Sequence, residues 1–106
     1  MGLKHFEEAK SRLRKMVPLT RRVLGESHDT TLRMRWTYAR SLYEDPAATL
    51  DDLREAVTTL EDAGRIARRV LGAAHPTATE LERLLPHARA ELRARETPPP
   101  AIAGTA

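Results

Sequence analysis

Between Asp29 and Glu44, the apolar side chains Leu32, Met34, Trp36, Tyr38, Ala39, Leu42 and Tyr43 recur at helical spacing. At ~100° per residue they fill an arc of roughly 200°, interrupted only by Arg35. A single partner helix cannot cover so wide an arc, so the pattern predicts a helix packed on two sides. The complementary polar arc holds Arg33, Thr37, Arg40, Ser41 and Glu44. Further on, Leu81, Leu84, Leu85, Ala88 and Leu92 form a narrower stripe, which suits a helix at the end of a stack.

Turn and cap signals divide the chain into four predicted helices. The first runs from about Leu3 to Leu24 and ends at Gly25, with Pro18 expected to kink or divide it near Val17. The second starts at Asp29–Thr31 and ends near Glu44, before the turn-forming Asp45-Pro46. Thr49, with Asp52 three residues on, reads as the N-cap of a third helix that reaches Leu71 and stops at Gly72. Pro76 suits the first turn of a fourth helix, which extends to about Arg95 through Pro86. Residues 1–95 form one predicted helical domain. Residues 96–106, rich in Pro and Ala and without periodicity, read as a disordered tail.

The chain writes one stretch twice. Arg21–Thr30 reads RRVLGESHDT and Arg68–Thr77 reads RRVLGAAHPT, with seven of ten positions identical at an offset of 47 residues. A period between 20 and 50 residues signals a repeat architecture. The duplicated stretch falls between predicted helices, so it reads as the corner joining one hairpin to the next. Gly25 and Gly72 are expected to end helices in the left-handed conformation. His28 and His75 recur at equivalent positions, which argues for a structural role at the corners over metal binding or catalysis.

Phe6-Glu7-Glu8-Ala9, Val23-Leu24-Gly25 and His28-Asp29-Thr30-Thr31-Leu32 resemble the tetratricopeptide repeats of the kinesin light chain type, with Asp29 where those repeats carry proline. Leu53-Arg54-Glu55-Ala56, Val70-Leu71-Gly72 and His75-Pro76 follow the same plan, and Ala56, Leu60 and Ala63 match that family's small, large, small pattern. The similarity covers about residues 6–92. It implies an all-α fold of antiparallel helical hairpins stacked as a short solenoid. The repeat of 47 residues is longer than the family's usual length, and the extra residues lie around Tyr43–Asp52. Gly64 falls inside the third helix, at a cost of about 1 kcal/mol against Ala.

The absence of cysteine removes disulfides and thiolate metal sites, and no apolar run is long enough to span a membrane. Neither a zinc-protease motif, a phosphate-binding Gly-rich loop nor a nucleophile elbow is present, so no catalytic residue, metal or cofactor is expected. The net charge of +3 is unevenly spread: residues 1–48 hold 10 basic and 6 acidic side chains, the remainder 8 and 9. A basic front half can attract an acidic partner, although an Arg-rich solvated surface has the same composition.

The resemblance implies a non-catalytic, cytoplasmic protein-interaction module whose groove is lined by the second helix, with Arg33, Trp36, Thr37 and Arg40 as the binding residues. A basic arc agrees with an acidic peptide, since arginines hold carboxylates through paired hydrogen bonds. The alternative is a self-associating scaffold unit: four helices leave solenoid ends uncovered, including the first helix's Phe6, Leu13 and Val17, and a symmetric dimer would cover them. RNA binding through Arg12, Arg14, Lys15, Arg21 and Arg22 ranks behind both, because acidic residues are interspersed and stacking aromatics are scarce.

Overall fold

The computed structural model describes residues 2–96, with side chains from Glu7 onward. Four helices follow in order: α1 (Gly2–Leu24), α2 (Asp29–Tyr43), α3 (Leu50–Val70) and α4 (Pro76–Glu96). No strand occurs among the described residues. The fold is all-α, and the tail from 97 onward and the side chain of Phe6 lie outside the described residues.

Successive helices run antiparallel, as their ladders of side-chain contacts require. Thr20 near the end of α1 donates to Met34 Sδ early in α2 at 3.3 Å, while Arg14 lies further back against Tyr38. Across α2 and α3, Tyr38 meets Glu55 and Arg35 meets Asp62. Arg68 with Glu82, Arg89 with Glu61 and Arg54 with Glu96 pair α3 with α4 from one end to the other. Helix α2 also lies against α4, so it has three neighbours, one more than its wide apolar arc requires.

The core is built from leucines set among alanines. Leu32, Leu42, Leu53, Leu60 and Leu81 are fully buried, and Ala39, Ala56, Ala63, Ala67, Ala78 and Ala88 have no exposed surface. Each buried leucine contributes about 1.5–3 kcal/mol of transfer free energy. The alanines leave room for neighbouring helices to approach, and the leucines fill the grooves so formed.

Local signals set the helix boundaries. Thr49 Oγ1 accepts from the Asp52 amide and Asp52 Oδ2 from the Thr49 amide, both at 3.1 Å, completing the capping box at the start of α3. Three expectations need correction. Leu13 and Val17 do not stand uncovered at the end of the stack: Val17 is buried and Leu13 packs against the core, because they lie on the side of α1 that meets α2. Of the two outcomes expected at Pro18, a kink or a division, the division does not occur: α1 continues from Gly2 to Leu24. Ser41 does not belong to the exposed arc of α2: it is buried, and its hydroxyl donates to the Tyr38 carbonyl at 2.6 Å, because it shares the side of α2 that carries Met34 and Tyr38 against α1.

Candidate interaction groove

The two copies of the repeated decapeptide adopt the same backbone. Gly25 has φ 98° and Gly72 φ 101°, in the region that side chains with a Cβ avoid, and no other described residue has a positive φ. The His28 amide donates to the Gly25 carbonyl, and the His75 amide to that of Gly72. His28 Nδ1 accepts from the Thr30 amide and His75 Nδ1 from the Thr77 amide, each at 3.1 Å. Each imidazole therefore satisfies one of the unpaired amides that open the next helix. Among the described residues, no group of three or more His, Cys, Asp or Glu could hold a metal ion.

Arg33, Trp36, Arg40 and Tyr43 succeed one another along α2 at spacings of three and four, so they share one side of the helix. The Arg33 guanidinium lies over the Trp36 ring, 5.8 Å from its centroid, a cation–π contact of about 0.5–1 kcal/mol at an exposed site. Among the described residues, Arg33 has no ion-pair partner. Thr37 lies at the edge of this row and donates its hydroxyl to the Arg33 carbonyl at 2.9 Å. Arg40 donates to Glu44 Oε2 at 3.0 Å. The two arginines therefore differ: an acidic ligand meets Arg33 directly, but must displace or share Glu44 to reach Arg40.

The row runs into a cleft of about 560 Å³ between the C-terminal half of α2 and α4. Arg40, Tyr43 and Glu44 line one wall, and Arg83, His87, Glu91 and Arg95 the other. Arg83 holds Glu80 through both carboxylate oxygens, at 3.0 and 2.6 Å, and this hydrogen bonding lowers the Glu80 pKa. Burial raises the Tyr43 pKa, helped by the Glu44 charge. Arg95 donates to the carbonyls of Pro46 and Ala48, fastening the α2–α3 loop against α4.

The α4 wall was not anticipated from the sequence, but the repeat offset points to it. Moving Trp36, Thr37 and Arg40 forward by 47 positions gives Arg83, Leu84 and His87. All three line the cleft. Of the α2 set only Arg40 lines it as well, so the repeat-equivalent pair Arg40 and His87 faces the same cleft.

Behind α2, a smaller cleft of about 250 Å³ separates α1 from α3, with Arg14, Arg21, Arg35, Tyr38 and Glu55 among its lining. Its polar groups are tied together: Arg14 Nε donates to the Tyr38 oxygen at 3.2 Å, and the Tyr38 hydroxyl donates to Glu55 Oε2 at 2.7 Å.

Among the described residues, no helix is long and apolar enough to cross a membrane. Comparisons with protein-family models, curated proteins and solved structures found no match.

Proposed function

We propose that the chain is a diverged, short tetratricopeptide-type array that acts as a non-catalytic interaction module in a cytoplasmic setting, taking a peptide along the face of α2 that opens into the α2–α4 cleft. One observation carries the reading: Arg33, stacked on Trp36 and without a carboxylate partner among the described residues, stands in a row with Arg40 and Tyr43, which line that cleft. A peptide there gains an aromatic platform, a guanidinium ready for a carboxylate, and a cleft flanked by Arg83 and His87. Burying a peptide side chain beside the half-buried Trp36 supplies apolar contact, while Arg33 selects acidic character.

Trp36 is the only tryptophan, so its emission reports on this face. A synthetic acidic peptide with one phenylalanine and no tryptophan should change that emission saturably, and Arg33→Glu should abolish the change. Arg40→Glu should weaken it less, because Arg40 already shares its charge with Glu44. Peptide binding that leaves Trp36 emission untouched, or that survives Arg33→Glu, rejects the reading. Displacement of the peptide by RNA would favour nucleic acid instead.

A further inference from the structure

Among the described residues, five large apolar side chains stand exposed, and four belong to α1: Met16, Leu19, Val23 and Leu24. Helix α1 packs its apolar side on α2 and, among the described residues, meets α3 through the ion pairs of Lys10 and Arg14. Its outer side has no neighbour among the described residues. Met16, Leu19 and Val23 fall there at i, i+3 and i+7, and are 48, 56 and 71 % exposed. They form a strip about two turns long, roughly 10 Å at 1.5 Å per residue.

The strip has a basic rim. Arg12, Lys15 and Arg22 lie on the same side of α1, all exposed, and none forms an ion pair among the described residues. Glu8 is the only carboxylate on that side of α1. Other surface arginines are mostly occupied: Arg21, Arg40, Arg54, Arg65, Arg68, Arg83 and Arg89 each hold a carboxylate. Uncompensated cations beside exposed apolar groups therefore coincide on this face.

We propose that the outer face of α1 docks an acidic amphipathic α-helix of a partner protein, its apolar ridge on Met16, Leu19 and Val23 and its carboxylates against Arg12, Lys15 and Arg22. A second copy fits poorly, because a twofold pairing of this face sets the three cations against their own equivalents. An anionic bilayer also fits less well. Surface-lying helices bury a long apolar face with several aromatic or leucine anchors, and this strip is two turns long with one leucine and no aromatic in it. A packed helix of similar length matches both its size and its charge.

The surface is distinct from the Arg33–Trp36 row, so the two readings can fail separately. The probe is a fluorescein-labelled 14-residue helical peptide with leucines at i, i+3 and i+7, flanked by glutamates, followed by anisotropy against the full chain. Saturable binding is expected, weakened roughly tenfold or more by Leu19→Asp with Val23→Asp. Reversing Arg12, Lys15 and Arg22 to Glu should abolish it and transfer preference to the same peptide with lysines in place of glutamates. Circular dichroism confirms that each variant remains helical. Arg33→Glu should leave this binding unchanged. Equal affinity for a scrambled peptide of the same composition overturns the proposal. So does binding to phosphatidylserine vesicles without peptide binding, or a dimer that Val23→Asp dissolves.

Discussion

The Thr77 hydroxyl donates to Asp29 Oδ1, joining the two repeated corners across 48 positions of sequence. Asp29 is the first residue of α2, where a carboxylate complements the helix dipole, and Thr77 is the second residue of α4 and is buried. At its own first helical position, α4 has Pro76. The departure from strict repetition at position 29 is thus what allows one corner to hold the other. Asp29→Ala and Thr77→Val should each cost about 1–2 kcal/mol in urea unfolding, as expected for a hydrogen bond to a charged group. The double variant should cost clearly less than the two losses combined.

Glycines at three positions should respond in opposite directions. Gly25 and Gly72 have open space where a Cβ would go, so Ala at either meets only the backbone cost of a positive φ, about 1–2 kcal/mol. Gly64 is helical, and a Cβ there would sit 3.8 Å from Leu81 Cβ, an ordinary contact. Gly64→Ala should therefore raise stability by about 1 kcal/mol through helix propensity alone. Thermal melts of the three single variants decide this. A destabilised Gly64→Ala would mean that α3 and α4 cannot accommodate the added methyl.

Tyr38 and Tyr43 are the only tyrosines, and both pKa values are raised, first by burial. For Tyr38 the hydrogen bond to Glu55 adds to this, against the opposing influence of Arg14. A folded pKa above the unfolded one stabilises fully below the unfolded value, near 10, and that contribution is lost as pH rises through the folded value. Stability should thus fall on the alkaline side, with phenolate absorbance at 295 nm appearing later than in the urea-unfolded chain. Tyr38→Phe should flatten this alkaline limb.

Much of the architecture was legible because its signals are local. The glycines at 25 and 72, the Thr49–Asp52 capping box and Pro76 at the start of α4 act within a few residues, and the structure has them in those conformations. The polarity of α2 was harder to read. Ser41 is polar and borders the exposed arc, but it lies at i+7 from Met34 and i+3 from Tyr38, on the side that meets α1, and is buried. The cleft wall on α4 is not legible from its apolar stripe, which marks core residues alone; Arg83 and His87 emerge only when the repeat offset is applied to the polar side. Ion pairing was not legible either, since whether Arg40 is free depends on the rotamer that meets Glu44.

Arg35, the one charged residue within the apolar arc of α2, is 7 % exposed, and its Nη1 lies 2.9 Å from Asp62 Oδ2. The pair is close, but Nη1 makes no aligned hydrogen bond. Burial works to raise the Asp62 pKa; Arg35 and Arg65 together outweigh it and hold the carboxyl below its usual value. Removing only the carboxylate, as in Asp62→Asn, strands a buried guanidinium and should cost about 1–3 kcal/mol, below the full cost of breaking a buried pair because Asp62 is partly solvated. Arg35→Met fills similar volume without the charge and should change stability by less than about 1 kcal/mol. Because the folded Asp62 pKa is depressed, its contribution is present above the unfolded value and lost as pH falls through the folded one. Wild-type stability should therefore drop more steeply below about pH 4 than that of Arg35→Met. Matching acid limbs in urea titrations of the two proteins would show that the pair contributes nothing to folding.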